Sequence, residues 1–171
     1  MGGIGLPVVG LAGLSVAGTA LAQDAVNVRL GGFAGLASRS AVQGAARRLA
    51  DPNCRQILEQ FKDAEGRTLQ SNLERRGLSA AEYVRRLHFH DGQVHPRCGQ
   101  SGIHAVTWPG SQIVYVCGPA FLTAHRRSPF LAESYVIHEM LHTLGLGESP
   151  VDPTAPTSQK ITDRVNDVCR N

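Results

Sequence analysis

The sequence predicts one α+β domain, with a helical N-terminal half, a small antiparallel sheet and two helices that follow the sheet. Three observations lead to this fold class. The chain has 171 residues, of which 42% are hydrophobic, and this is enough apolar material for a single core. Apolar residues recur at helical spacing in both halves of the chain. Between these regions, β-rich segments flank the turn pair Pro109-Gly110.

The first 22 residues have the pattern of a signal peptide. No charged side chain occurs in residues 2–22, and the apolar stretch ends in Ala-Leu-Ala at 20–22, which fits the small-x-small rule for cleavage. We therefore expect a signal peptide over residues 1–22 and a single mature domain over residues 23–171. A membrane anchor and a buried helix are the alternatives, because the stretch is about as long as a bilayer is thick. Cleavage predicts a secreted or periplasmic protein with no membrane partner.

Helical periodicity dominates the N-terminal half of the mature chain. Residues 39–49 and 54–62 place apolar side chains three and four positions apart, and residues 67–76 are expected to continue as helix. Ser79 is followed three residues later by Glu82, and this capping-box spacing predicts the start of a further helix.

The middle of the chain changes to β-rich segments. Residues 86–90 alternate between apolar and polar side chains, as expected for a strand. Residues 103–108 and 112–117 are separated by Pro109-Gly110, so they predict an antiparallel hairpin.

The strongest helical pattern covers residues 130–144. Gly145 follows it and is well placed to end the helix. Residues 158–170 predict a C-terminal helix. The apolar stripe of the first of these two helices has members at i, i+3, i+4 and i+7: Ile137, Met140, Leu141 and Leu144.

The four cysteines predict disulfides, because an even number in a small exported chain is typical of a disulfide framework. Four cysteines allow three pairings. We favour Cys98–Cys117, across two neighbouring strands, and Cys54–Cys169, between an early helix and the C-terminal helix. Four buried free thiols are the alternative.

Composition gives no reason to expect a nucleic-acid partner. The formal net charge is +3, no run of five or more Lys and Arg occurs, and aromatic residues make up 5% of the chain. Neither a basic footprint for a duplex nor a stacking platform for single strands is therefore indicated.

His138, Glu139 and His142 form an H-E-x-x-H motif in the helix predicted over residues 130–144. Four residues at about 100° each return to nearly the same helix face, so both imidazoles can bind one Zn²⁺ ion. Glu139 lies beside that face, where it can take a proton from metal-bound water. The motif predicts a zinc site with Glu139 as the catalytic general base. Histidines without a metal, or a zinc site without activity, are the alternatives.

The stretch from His138 to Glu148 resembles the zincin superfamily of metallopeptidases. Its spacing is similar to the metzincin pattern, in which a glycine turns the chain and a third ligand follows three residues later. Gly145 matches the glycine, and Glu148 occupies the third-ligand position in place of histidine. No methionine follows Met140, so the methionine turn of metzincins is missing. The resemblance implies a compact zincin-like fold and the metal ligands His138, His142 and Glu148.

Other side chains are alternatives for the third ligand. Gluzincin-like proteins take an acidic ligand from a later helix, and Asp163 and Asp167 lie at that distance, although opposite the apolar stripe of the last helix. Asp152 is a further candidate in the proline-rich loop. Four histidines complete the alternatives: His88, His90, His104 and His125.

The predicted function is hydrolysis of a peptide or protein substrate by an exported zinc metallopeptidase. Glu139 takes the proton from zinc-activated water, which attacks the scissile carbonyl. Tyr115, Tyr135 and His125 are candidate donors to the oxyanion. The strand over residues 112–117 is either an edge that aligns an extended substrate by backbone pairing or an ordinary core strand, and the sequence does not choose between these two interpretations.

Two other function classes fit the same motif. One is a secreted or periplasmic binding module whose metal site is structural or degenerate. The other is a different zinc hydrolase, of the amidase or deformylase type, because H-E-x-x-H indicates activated water rather than a particular substrate.

Overall fold

The computed structural model describes residues 1–2 and 26–170. The signal peptide predicted over residues 1–22 therefore lies outside the described residues, apart from its first two positions. Among the described residues, no helix is both long enough and apolar enough to cross a bilayer. The described part of the chain is α+β, as the sequence predicted.

Five helices separate β1 from the other three strands, three helices follow the strands, and most helical residues lie in the three longest helices. The elements in order are β1 (Val28–Arg29), α1 (Gly32–Ala50), α2 (Pro52–Arg55), α3 (Ile57–Gln60), α4 (Leu69–Glu74), α5 (Ala80–Arg86), β2 (His88–Asp91), a 3₁₀ turn (Pro96–Gly99), β3 (Ala105–Val106), β4 (Ile113–Val116), α6 (Gly118–Arg127), α7 (Pro129–Thr143) and α8 (Ser158–Cys169).

Local sequence signals explain most helix boundaries. The predicted capping box is confirmed, because Ser79 accepts a bond from the backbone N–H of Glu82 and the Glu82 carboxylate accepts from Ser79. The predicted helix over residues 54–62 is wrong as a single element. It is split into α2 and α3, and it ends before Phe61, which is extended and accepts a bond from the Leu69 N–H.

The sheet has the strand order β1-β2-β4-β3 and is mixed. The predicted hairpin is confirmed, since β3 pairs antiparallel with β4. The prediction of an antiparallel sheet is wrong for the other two pairs, because β1–β2 and β2–β4 are parallel. Helices α1 to α5 form the long crossover between β1 and β2 that parallel pairing requires.

Of the two interpretations of the strand over residues 112–117, the edge strand is wrong. β4 lies between β2 and β3, and Val114 and Val116 on this strand are buried in the core. β3 is the outer strand of the described sheet on that side. A continuous strand of β-branched residues does not by itself distinguish an inner strand from an edge.

Helix α7 lies at the centre of the packing. It contacts α1, α5, α6, α8 and β3. Its predicted apolar stripe is confirmed, because all four members are buried in the main hydrophobic cluster: Ile137, Met140, Leu141 and Leu144. The stripe anchors the helix and leaves the motif side chains on the remaining face.

Both predicted disulfides are present, Cys54–Cys169 and Cys98–Cys117. Cys98 lies in the 3₁₀ turn rather than on a strand, so that bridge fastens a loop to the residue that follows β4. No cysteine is free. Two disulfides in a chain of this size fit an extracellular or otherwise oxidising compartment.

A partly buried ion pair joins α1 to α7. Arg48 Nε donates to Glu133 Oε2 at 2.5 Å, and the Arg48 guanidinium lies 4.4 Å from the centre of the Phe130 ring. Gly44 faces this pair, and a Cβ atom at position 44 would overlap the Glu133 carboxylate. Glycine at this position therefore permits α1 to lie close to the helix that carries the histidine motif.

Replacing Gly44 with alanine should destabilise the fold. The added methyl group must displace Glu133 and break its bond to Arg48, and we expect a loss of about 1–3 kcal/mol, as for other overpacked sites. Urea unfolding measures this difference. Gly99→Ala is the matched control, because a Cβ there would meet nothing within 4 Å. Equal stability of the two variants would contradict the role given to Gly44.

Candidate metal site

His138, His142 and Glu148 bring three potential ligand atoms together beside α7. The two Nε2 atoms are 3.0 Å apart, and Glu148 Oε2 lies 3.4 Å from the Nε2 of His138 and 3.2 Å from that of His142. Ligands about 2.0–2.2 Å from a tetrahedral zinc ion lie about 3.3–3.6 Å from one another. The observed separations are close to these values. Both histidines are buried, and the Glu148 side chain is 23% exposed.

Hydrogen bonds behind the rings indicate where the protons are. The Leu146 carbonyl oxygen lies 2.8 Å from His142 Nδ1. A carbonyl only accepts, so Nδ1 carries the hydrogen, and a neutral His142 ring directs its Nε2 lone pair at His138 and Glu148. Two imidazole nitrogens and a carboxylate at this range require a proton or a metal cation between them. The donor set therefore fits a zinc ion.

The electrostatics of the cluster favour a positive charge. Burial lowers the pKa of the His142 imidazole, but its contact with Glu148 and the charge of Glu139 raise it more, so the pKa lies above its ordinary value. Burial raises the pKa of the Glu148 carboxyl, but the contacts with His138 and His142 outweigh burial and hold that pKa well below its usual range. The carboxylate is thus ionised and balances a cation.

The end of α7 is built by a Schellman turn. The Gly145 N–H donates to the His142 carbonyl at 2.8 Å, and the Leu146 N–H donates to the Leu141 carbonyl at 3.2 Å. Gly145 has φ of +112°, which glycine adopts without steric cost. This turn places the Leu146 carbonyl beside His142 Nδ1. It also reverses the chain direction, so that Glu148 lies beside the two histidines.

A buried polar network supports the turn from α4. Asn72 Nδ2 donates to the Leu144 carbonyl at 2.9 Å and to Asp63 Oδ2 at 2.8 Å. Burial raises the pKa of the Asp63 carboxyl, but the bonds from Asn72 and Arg67 outweigh it and hold that pKa well below its usual range. The network therefore stays charged and bonded at neutral pH. A Cβ at Gly145 would lie 3.1 Å from the Asp63 Cβ, so the turn and the network are in close contact.

Glu139 lies next to the ligands on α7 and is buried. Desolvation raises the pKa of its carboxyl above the ordinary value, although His138 and His142 oppose this rise. Its carboxylate has no hydrogen-bond partner within residues 26–170. A carboxylate with these properties is free to accept a proton from a water molecule at the cluster.

The alternative third ligands lie elsewhere. Asp152 accepts bonds from the N–H and hydroxyl of Thr154, at 2.9 and 2.7 Å, within its own loop. Asp163 and Asp167 are exposed on α8. The ligand atoms that converge within 4.8 Å belong to His138, His142 and Glu148, and the four other histidines considered are not in this group: His88, His90, His104 and His125.

The predicted oxyanion donors occupy three different places. The Tyr115 ring packs against Trp108, with 5.8 Å between ring centres. Tyr135 lies one turn before the motif on α7 and stacks on His104 at 4.1 Å. His125 lies on α6, and its Nε2 is buried without a hydrogen-bond partner in the described part of the chain. Of the three, Tyr135 is the one that shares a helix with the motif.

Sequence reasoning missed the groups that orient the histidine rings. His142 is oriented by the Leu146 carbonyl, and His138 Nδ1 lies 3.0 Å from Thr162 Oγ1 on α8. The spacing of Gly145 could have indicated the first contact, because a Schellman turn places residue C″ against the last helical turn. No local signal marks the second contact, since its partners are separated by 24 residues.

No protein-family model matches the chain, and comparisons with curated proteins and with solved structures find no significant match.

Replacing Gly145 with alanine should disrupt the turn beside the cluster. Alanine at this φ is strained by about 1–3 kcal/mol, and its Cβ would press on Asp63. Gly102→Ala is the matched control, because Gly102 also has a positive φ, of +81°, but open space around it. We expect Gly145→Ala to lower the free energy of unfolding in urea more than the control does. A smaller loss than in Gly102→Ala would contradict this account of the turn.

Proposed function

We propose that this protein is an exported zinc-dependent peptidase with a zincin-like site. The observation that carries the proposal is the convergence of the His138, His142 and Glu148 ligand atoms within 3.0–3.4 Å of one another. The spacing of the motif and the turn at Gly145 support the same assignment. The two disulfides are in keeping with export.

Metal binding and proton transfer are assigned to different residues of the cluster. His138, His142 and Glu148 would hold the metal, which, when bound, supplies the Lewis acidity that activates water and polarises a carbonyl. Glu139 accepts the proton from the attacking water and delivers it to the nitrogen of the leaving amine. Its burial supports this role, because desolvation raises the pKa of the Glu139 carboxyl and makes the carboxylate a stronger base than an exposed glutamate.

The outer strand β3 is the proposed substrate-aligning element in place of β4. β3 (Ala105–Val106) packs beside α7, and its only strand partner in the described sheet is β4. An extended peptide paired with its outer edge would run next to the helix that carries the motif. This arrangement favours an extended peptide or protein chain as substrate.

The purified protein should bind about one zinc ion per chain, and His142→Ala and Glu148→Ala should each weaken binding. Loss of a direct ligand is expected to exceed the roughly 10–100-fold effect of losing a group that hydrogen-bonds to a ligand. Competition with a fluorescent chelator measures the zinc Kd. Asp163→Ala is the control, because Asp163 is an exposed carboxylate outside the cluster. Full zinc affinity in Glu148→Ala would overturn the ligand set.

Glu139→Gln should retain zinc and lose hydrolysis. The amide has nearly the same shape but does not accept the proton, and general-base catalysis contributes about 10²–10⁴-fold. Cleavage of a quenched fluorescent peptide library by the zinc-loaded protein measures this loss. Glu59→Gln, at an exposed position on α3, is the matched control.

Two results would argue against a peptidase. An active Glu139→Gln variant would reject the assigned base. Stoichiometric zinc in a wild-type protein that cleaves no peptide, together with a large stability loss on chelation, would favour a binding module with a structural metal site.

A further inference from the structure

We propose that Thr162 is a positioning residue for His138, and that through this contact the C-terminal helix α8 forms part of the metal site. The inference rests on the proposed zinc site and assigns a role to a residue outside the H-E-x-x-H motif. The distance between Thr162 Oγ1 and His138 Nδ1 is 3.0 Å, and the two residues lie on different helices.

The surroundings of His138 Nε2 determine the direction of this hydrogen bond. His138 Nε2 faces His142 Nε2 and Glu148 Oε2, at 3.0 and 3.4 Å. A ring that offers the Nε2 lone pair to a metal carries its hydrogen on Nδ1, so the ring donates and the Thr162 hydroxyl accepts. Thr162 thereby favours the tautomer that a metal ligand needs and holds the ring plane toward the cluster.

Three hydroxyl groups inside other helices of this protein bond to their own helix. Ser38, Thr123 and Ser134 each donate to the carbonyl four residues earlier in their own helix, at 2.8–2.9 Å. This is the usual local bond of serine and threonine in a helix. Thr162 has no such bond to its own helix within residues 26–170, and its hydroxyl contacts the imidazole of a different helix instead. The contact is thus specific to the site rather than a general property of helical threonines.

Helix α8 is anchored firmly enough to fix the position of this hydroxyl. Ile161 and Val165, which flank Thr162 on the buried side, are fully enclosed in the core. The disulfide from Cys169 to Cys54 ties the last turn of α8 to α2. The Cys169 carbonyl also accepts a bond from Arg48 Nη1 at 2.7 Å, and Arg48 is the same side chain that pairs with α7. Core packing and the disulfide therefore fix the position of the Thr162 hydroxyl.

The rings of His142 and His138 are oriented by different kinds of hydrogen-bond acceptor. His142 is oriented by a backbone carbonyl, which no side-chain substitution removes, whereas His138 depends on one hydroxyl. In Thr162→Val, a side chain of almost equal shape leaves the Nδ1–H of His138 without its acceptor. The ring is then free to place its hydrogen on Nε2, which opposes metal binding.

The test is the zinc Kd of Thr162→Val, compared with wild type, Thr162→Ser and Thr123→Val. We expect Thr162→Val to bind zinc about 10–100-fold more weakly, and Thr162→Ser, which restores the hydroxyl, to regain most of the affinity. Thr123→Val is the matched control, because that exposed threonine bonds only its own helix, and it should bind as wild type does. Unchanged affinity in Thr162→Val, or equal losses in the valine and serine variants, would overturn the proposal.

A second measurement does not depend on the metal. Long-range ¹H–¹⁵N spectra of the metal-free protein, recorded at alkaline pH, report which ring nitrogen of His138 carries the hydrogen. We expect Nδ1–H in wild type and a shift toward Nε2–H in Thr162→Val, and the same tautomer in both would contradict the proposed role. If wild type itself binds no zinc, the proposed function fails. If wild type binds zinc but Thr162→Val binds it equally well, only this inference fails.

Discussion

The reversal of the chain at Gly145 is the constraint on which the candidate metal site depends. One backbone conformation satisfies the last carbonyls of α7, presents the Leu146 carbonyl to His142 and returns Glu148 to the two imidazoles. Its positive φ is accessible to glycine because glycine has no Cβ atom. The orientation of the His142 ring and the position of Glu148, two side chains of the proposed site, therefore both depend on this turn.

The turn and its helix are held from several directions by buried and partly buried polar contacts. Asn72 on α4 and Asp63 in the loop before α4 support the turn, while the Arg48–Glu133 pair holds the N-terminal half of α7 against α1. The loss of one partner in such a network leaves a buried polar group unsatisfied, which costs more than the net stabilisation from the bond itself. These contacts explain how a small domain keeps charged side chains in place near its core. The disulfides add covalent support at α2–α8 and at the end of β4.

The charge distribution around α7 is unusual for a protein interior. Glu139 and Glu148 lie close to two imidazoles in a region where burial makes isolated charges costly. Glu148 stays ionised because both imidazoles contact it, whereas Glu139 has a raised pKa because desolvation outweighs the attraction of the same rings. Two carboxyl groups in one cluster are thus given different properties by their surroundings. This difference supports the separate roles of ligand and base in the proposed mechanism.

Features that arise within one helix and its end could be predicted from the residues alone. The helix over residues 130–144, its apolar stripe, the histidine pair and the stop at Gly145 depend on helical periodicity and on one backbone conformation, which neighbouring residues decide. The resemblance to the metzincin spacing predicted Glu148 as the third member of the cluster. The parallel pairing of β1, β2 and β4 and the contact between His138 and Thr162 could not be predicted in this way, because they join distant parts of the chain. The support of Leu144 by Asn72 joins positions 72 residues apart. Such contacts depend on how the helices pack against one another, and no local pattern in the sequence records that packing.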